Sequence, residues 1–427
     1  MKTILNPNKS TWSALLKRPT QAVDDIENTV KEVFEDVSKN GDQAIAKYTK
    51  KFDKCELDSN IVTAEELANV SALVSNDLKN AIQQAKNNIE AFHAAQKTET
   101  VRVETVKGVN CWQEKRAIEK VGLYIPGGTA PLFSTILMLV VPAKIAGCKE
   151  IILCTPPNAE GKIANEILYT ANLCGVTKIF KVGGIQAIAG LTFGTETIPQ
   201  VYKVFGPGNQ YVTVAKQIAT KHGVAIDMPA GPSELLIVAD DTANPVYVAS
   251  DLLSQAEHGT DSQVILVSTS KGLITKVSNE VEQQLEKLPR KEIARKAIAN
   301  SKLIYVENDD VALEMINAYG PEHFIVCVEN EDLFVSRIVN AGSVFIGNYT
   351  PESAGDYASG TNHTLPTNGF SKAYSGVNLD SFTKAITFQK ITKEGILNIG
   401  KTIELMAEAE GLQAHKNAVT LRLKDLM

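Results

Sequence analysis

Thiols are scarce in this 427-residue chain: Cys55, Cys111, Cys148, Cys154, Cys174 and Cys327 stand apart, with no CxxC spacing. That excludes a disulfide scaffold and points to a reduced, cytoplasmic protein. Long hydrophobic runs are missing too. The longest, Ile136 to Ala143, is far short of the roughly 20 residues that span a bilayer. No basic-then-apolar signal segment opens the sequence, which is broken early by Asn6-Pro7-Asn8. Excess positive charge is also absent: 43 Lys and Arg against 49 Asp and Glu leave −6, which excludes a general nucleic-acid surface. The basic stretch Arg290 to Lys296 reads as a solvated helix face. Internal repeats, low-complexity tracts and a GxGxxG fingerprint are all missing. Histidine is sparse, with only His93, His222, His258, His323, His363 and His415.

Those few histidines are placed unevenly. His258 ends Ser254-Gln255-Ala256-Glu257-His258-Gly259, where Gln255 and His258 project from one helical face, with Asp251 a turn earlier. Glu322-His323 follows Tyr319-Gly320-Pro321, and His363 closes the loop that begins at Asp356. His415 lies near the C-terminus.

A chain of this length is expected to hold two or more domains. Apolar residues at helical spacing run from about Thr20 to Gln96, and Thr63-Ala64-Glu65-Glu66 is a capping box. From Val121 the texture changes to short apolar runs separated by helix-length segments: Val121–Ile125, Ile151–Cys154, Lys178–Val182 and Tyr202–Phe205. After Gly231-Pro232-Ser233 the alternation resumes with Glu234–Val238, Val264–Val267, Leu303–Val306, Phe324–Val328 and Val344–Ile346. Strands alternating with helices predict parallel sheets, hence two α/β units with a turn cluster between them that suits a cleft. Ile396 to Glu410 and Leu412 to Lys424 read as a terminal helix pair, too short to bury its apolar face unaided.

Several segments can carry chemistry, and each has a plainer explanation beside it. His258 at a helix end is accounted for by the helix dipole. Gln255 on its face, with Asp356 and His415 available from elsewhere, tilts the reading to an open zinc site of nitrogen and oxygen ligands. Glu322-His323 at a strand entry serves equally as a capped surface turn or as an acid/base pair. Gly347 to Pro351 and Asp356 to His363 form a polar loop after a strand, where α/β sheets build ligand clefts or simply connect. Gly183-Gly184 and Gly206-Pro207-Gly208-Asn209 each open a helix and can present N–H groups to phosphate, in a degenerate version of the usual dinucleotide mode. Tight turns explain those glycines as well.

Taken together, Tyr124-Ile125-Pro126-Gly127-Gly128, Phe205 to Asn209, Asp227 to Glu234, Ser250 to Gly259, Gly320 to Phe324 and Asp356 to His363 resemble the histidinol dehydrogenase family. The resemblance covers almost the whole chain. It implies oxidation of L-histidinol to L-histidine through the aldehyde, with NAD and one Zn2+ per subunit. It implies Gln255, His258, Asp356 and His415 as zinc ligands and Glu322 and His323 as the catalytic pair. Ser233, Gln255, His258, His323, Asp356, Glu410 and His415 would contact substrate, and Tyr124, Gln186 and Asn209 the dinucleotide. It further implies two doubly wound, incomplete Rossmann-like α/β domains with a helical lead-in. Residues 1–20 would be an arm, 21–120 with 234–380 the larger domain, and 121–233 the NAD domain. Residues 381–427 would be a helical segment exchanged in a homodimer, placing Glu410 and His415 in the partner's site.

Three rival readings remain. A cysteine thiohemiacetal route would use Cys148 or Cys154. A zinc hydrolase would use Glu322 and His258. A zinc-stabilised dimer that merely binds small amino compounds would do no chemistry.

Overall fold

The computed structural model describes residues 1–19, 24–127 and 131–426. Thr20, where the helical lead-in was expected to begin, and Gly128 of the Tyr124–Gly128 segment lie outside them. The chain opens with β1 (Lys2–Leu5), runs through helices Asp24–Tyr48, Ala64–Leu73 and Asn76–Ala94, and forms an antiparallel hairpin of β2 (Val101–Val106) and β3 (Val109–Ala117). An α/β unit follows: β4 (Lys120–Tyr124), β5 (Glu150–Thr155), β6 (Lys178–Lys181), β7 (Lys203–Phe205) and β8 (Ala225–Ile226), with a helix between each pair. The second unit holds β9 (Glu234–Ala239), β10 (Gln263–Ser268), β11 (Lys302–Tyr305), β12 (His323–Cys327) and β13 (Ser343–Ile346). Last come β14 (Thr383–Ile391) and helices Lys393–Ala409 and Gln413–Lys424.

Both large sheets are parallel and share one winding. The first is ordered β6-β5-β4-β7-β8, and the second β11-β10-β9-β12-β13 with β1 added beyond β11. Each unit therefore runs outward from its first strand, returns, and continues on the other side, which is the doubly wound pattern. Every residue of β9, β10 and β12 is buried. This explains why these strands read as unbroken apolar runs: helices cover both faces of such a sheet. The helix Phe133–Ala146 is apolar all round and is buried from Ser134 to Ala143. It lies between the first sheet and Asn76–Ala94.

Two features differ from the sequence reading. Helices 24–48 and 64–94 were grouped with the second sheet, yet they pack on the first. Val30, Phe34, Ile45 and Tyr48 share a core with Tyr124, Ile152 and Phe180, and Ile82 and Ile89 share another with Val121 and Ile136. An amphipathic face specifies that a helix docks but not on which sheet. The arm, for its part, is structured: β1 pairs with β11, and Trp12 and Leu16 are buried under the second sheet.

Second, the tail is more than a helix pair. β14 pairs antiparallel with β3 from Thr383 to Ile391, making a three-stranded sheet β14-β3-β2. Phe382, just before it, is fully buried and stacks on Phe205 with ring centroids 4.2 Å apart. Phe382→Ala should cost about 3–5 kcal/mol through the cavity it leaves. A urea titration would read this as a lowered midpoint with unchanged slope.

Candidate active site

The chemistry-bearing side chains gather at the amino ends of the second sheet's strands. Asn244 caps the helix Pro245–Ala256, accepting the Val246 N–H, and Pro245 occupies its first turn. Leaving the carboxyl end of β9, this helix runs back along the sheet and delivers Gln255 and His258 to the opposite edge. There β9 begins at Glu234 and β12 at His323, with Glu322 one residue before. Glu322 and His323 can serve one site because only His323 has entered the pleat.

Glu234 anchors the pair through its backbone. Its N–H donates to Glu322 Oε2 at 2.9 Å, and its carbonyl lies 3.3 Å from His323 Nδ1. The Glu234 carboxylate is gripped by Arg18, with Nη2 to Oε1 at 2.7 Å, and also accepts from the Tyr319 hydroxyl at 3.3 Å. From the other side comes the short helix Glu352–Tyr357. Glu352 Oε1 lies 3.4 Å from His323 Nδ1, and Asp356 Oδ1 lies 3.7 Å from His323 Nε2.

Burial shapes the electrostatics. Desolvation pushes His323 down to about 3 and His363 to about 4, with His258 nearby adding to both shifts. His258 itself is lowered, by burial first and then by Arg290. Among the acids, burial lifts Asp356 to about 7 and Asp251 to about 7. Glu322 and Glu352 lie well above the ordinary carboxylate range, again through burial first and then the carboxylates around them. Neutral imidazoles beside proton-retaining acids form a site poised for proton transfer.

Orphaned polar atoms test whether a metal fits here. Gln255 is wholly buried, and neither its Oε1 nor its Nε2 has a hydrogen-bond partner. His323 Nε2 and Glu352 Oε1 are likewise buried without one. Each such atom costs about 1–3 kcal/mol unless something binds it. His323, Glu352 and Asp356 offer ligand atoms that all lie within 4.8 Å of one another, alone among the described residues. This donor set of nitrogen and oxygen without sulfur suits zinc in an open site.

Some expected residues converge and others do not. Glu322, His323 and Asp356 meet as described, with His258 near enough to His323 to lower its proton affinity, and Gln255 is buried next in sequence to Ser254, whose hydroxyl lies 3.4 Å from Glu352 Oε2. Ser233 and His258 line a cavity of about 350 Å³ together with Asn209 and Tyr211 from the first sheet's carboxyl edge. Asn209 and Tyr211 also line a larger cavity of about 980 Å³ with Tyr124, Gly127, Pro156 and Gly184. Gln186 is buried behind that cavity, donating through Nε2 to Asp53 at 3.1 Å. Glu410 and His415 are exposed on the tail helices, which within the chain pack on each other and on β2 and β14.

Sequence reading missed Glu352, although Pro351-Glu352 directly follows a polar turn. It left His363 without a role, and here Nδ1 lies 2.8 Å from the Asp356 carbonyl and Nε2 3.0 Å from Thr135 Oγ1. That pins the loop under Asp356. The thiohemiacetal rival loses ground, since burial pushes Cys148 up to about 11 and Cys154 higher still, where thiols are inert.

Known proteins resemble this chain along its whole length. The family model for histidinol dehydrogenase matches residues 16–423. The histidinol dehydrogenase of Bacteroides thetaiotaomicron is 59% identical over 426 residues, covering 100% of both chains. That of Escherichia coli K12 is 52% identical over 415 residues, covering 96% of this chain and 95% of the relative. The crystal structure of histidinol dehydrogenase from Elizabethkingia anophelis superposes with a TM-score of 0.98 at 58% identity, covering 100% of this chain and 98% of the other. Two wound sheets facing each other across a proton-handling cleft, matched from end to end by such relatives, leave one assignment: the chain belongs to the histidinol dehydrogenase family, oxidoreductases of histidine biosynthesis.

Proposed function

We propose that the chain oxidises L-histidinol to L-histidine in two successive steps through bound L-histidinaldehyde, with NAD as acceptor and one zinc ion per subunit. The observation that carries this reading is the pair of adjoining cavities that share Asn209 and Tyr211. One opens at the carboxyl edge of a doubly wound sheet, the usual seat of a dinucleotide. The other leads to Ser233 and His258 beside the acid/base pair.

NAD bound in the larger cavity, contacted by Tyr124, Gln186 and Asn209, would accept hydride from the substrate carbon. Zinc would supply Lewis-acid positioning of the substrate. Its holders are Gln255, His258 and Asp356 with His415 of the partner subunit, or else the observed cluster His323, Glu352 and Asp356. Ser233 and Glu410 would complete the substrate contacts.

The chain's own residues divide the proton work. The Glu234 carbonyl favours a proton on His323 Nδ1, leaving the Nε2 lone pair free to take the substrate's hydroxyl proton. Glu322, in its ionised form, to whose Oε2 the Glu234 N–H donates, would draw the proton from the water that hydrates the aldehyde. Burial of both keeps bulk water from the reactive aldehyde. Exposed apolar side chains on the tail helices support a homodimer. Leu405, Met406 and Leu421 are 54%, 61% and 66% exposed, a face a second copy would cover. Among the described residues no helix is long and apolar enough to cross a membrane.

The test is stoichiometric. Histidinol and NAD⁺ should yield a pair of NADH for each histidine, chelation should abolish this, and zinc should restore it. Full turnover in a preparation verified as metal-free would overturn the zinc assignment, and binding of histidinol without NADH formation would favour a non-enzymatic protein.

A further inference from the structure

The first sheet winds in the order third, second, first, fourth, fifth, so β5 is its second strand. In dinucleotide folds of this winding, an acidic residue near the end of the second strand accepts the ribose hydroxyls. Here β5 ends in Thr155-Pro156-Pro157-Asn158, with no carboxylate. Another part of the chain supplies one. Asp53, at the end of the tight turn Thr49–Asp53 that follows the helix Asp24–Tyr48, is the only acid among the described residues lining the 980 Å³ cavity.

Its position is held on two sides. Oδ2 accepts the Gln186 amide at 3.1 Å. A Cβ placed on Gly183 would stand 3.0 Å from Asp53 Oδ1 and 2.5 Å from Pro156 Cβ, so the carboxylate sits at the ends of β5 and β6. Burial raises Asp53 to about 6. It is therefore a largely ionised acceptor at neutral pH, with one protein donor and capacity for more. Among the described residues Lys162 is the sole ammonium lining the cavity; it is 74% exposed and lies 3.8 Å from Glu160. Its ammonium is therefore largely hydrated and paired with a carboxylate of its own loop.

We propose that Asp53 determines dinucleotide specificity: its carboxylate accepts the vicinal hydroxyls of a cofactor ribose and repels a 2′-phosphate. The acid that most such folds carry on the second strand is here borrowed from the N-terminal helical layer. This rests on the reading that the cavity takes a nicotinamide dinucleotide.

Direct binding titrations of NAD⁺ and NADP⁺, without substrate, test it on the full chain, on Asp53→Asn and on Asp53→Ala. The unaltered chain should prefer NAD⁺ by at least about tenfold, because like charges brought together in a site are strongly disfavoured. In either folded variant NAD⁺ should weaken by about tenfold and the preference should collapse towards parity. In turnover, KM for NAD⁺ should rise while kcat stays within about twofold, since Asp53 lines the larger cavity, where its carboxylate bonds Gln186 and not the proton-handling pair. NADP⁺ binding as tight as NAD⁺ in the unaltered chain overturns the inference without any variant. So does an undiminished preference in a folded variant while NAD⁺ still binds, and in both cases the dinucleotide reading stands. Failure of the unaltered chain to bind NAD⁺ at all sinks that reading and this inference with it.

Discussion

In a His323→Asn variant, turnover falls by about 10²–10⁴-fold, the range a positioned general base supplies. Zinc content, NAD⁺ binding and thermal midpoint stay at the values of the unaltered chain. The expectation follows from how the ring is held. His323 opens β12, is nearly inaccessible, and points Nδ1 at the Glu234 carbonyl. An asparagine can keep a donor towards that carbonyl while removing the free lone pair at Nε2. Glu234 remains clamped by Arg18 and Tyr319, so the strand entry keeps its shape. Metal analysis of the same preparation decides between the two jobs open to His323. Lost zinc together with lost turnover would make His323 a ligand beside Glu352 and Asp356, and the base would have to be sought elsewhere.

Much of this architecture was legible in the sequence, for identifiable reasons. Nine strands of the two parallel sheets announced themselves as short, mostly apolar runs, because helices cover both faces of such sheets. The capping box at Thr63 formed as read. What stayed hidden was non-local. β2, β3 and β14 carry Arg102, Glu104, Glu114 and Lys115 among their apolar residues, because the sheet they form is largely solvent-facing. The pairing of β14 with β3 joins segments far apart in the chain, so no local signal marks it. β1 is short and lies on an edge.

The site followed the same rule. Glu322, His323, Gln255 and His258 were visible as clustered residue types within short segments. Glu352 was not, because an acid in a helix's first turn is ordinarily explained by the helix dipole. Asp53 was hidden among Lys50, Lys51 and Lys54, a run that reads as solvated charge. The rule that ligands sit at the carboxyl ends of strands holds for the first sheet and fails for the second. There Glu234 and His323 begin their strands, and the helix between β9 and β10 returns Gln255, at its end, to the same edge of the sheet.

Mixing inactive protomers should restore activity, and this is the sharpest consequence of the proposed dimer. His415 is exposed on a helix whose contacts within the chain lead away from Gln255 and Asp356. If it completes the partner's site, then His415→Ala and His323→Asn homodimers are each nearly inactive, but for different reasons. Co-refolded in equal amounts, half of the dimers are mixed. In a mixed dimer one site combines an intact His323 with the intact His415 of the other protomer, while the second site carries both defects. About a quarter of all sites are then whole, the fraction that two-fold symmetry dictates. Both possible outcomes differ by far more than assay error. A tail that serves its own subunit leaves every site with one defect, and the mixture stays as inactive as its parents. The exposed Leu405, Met406 and Leu421 should become protected from hydrogen exchange in the same mixture, since the face that carries the borrowed histidine is the one a second copy must cover.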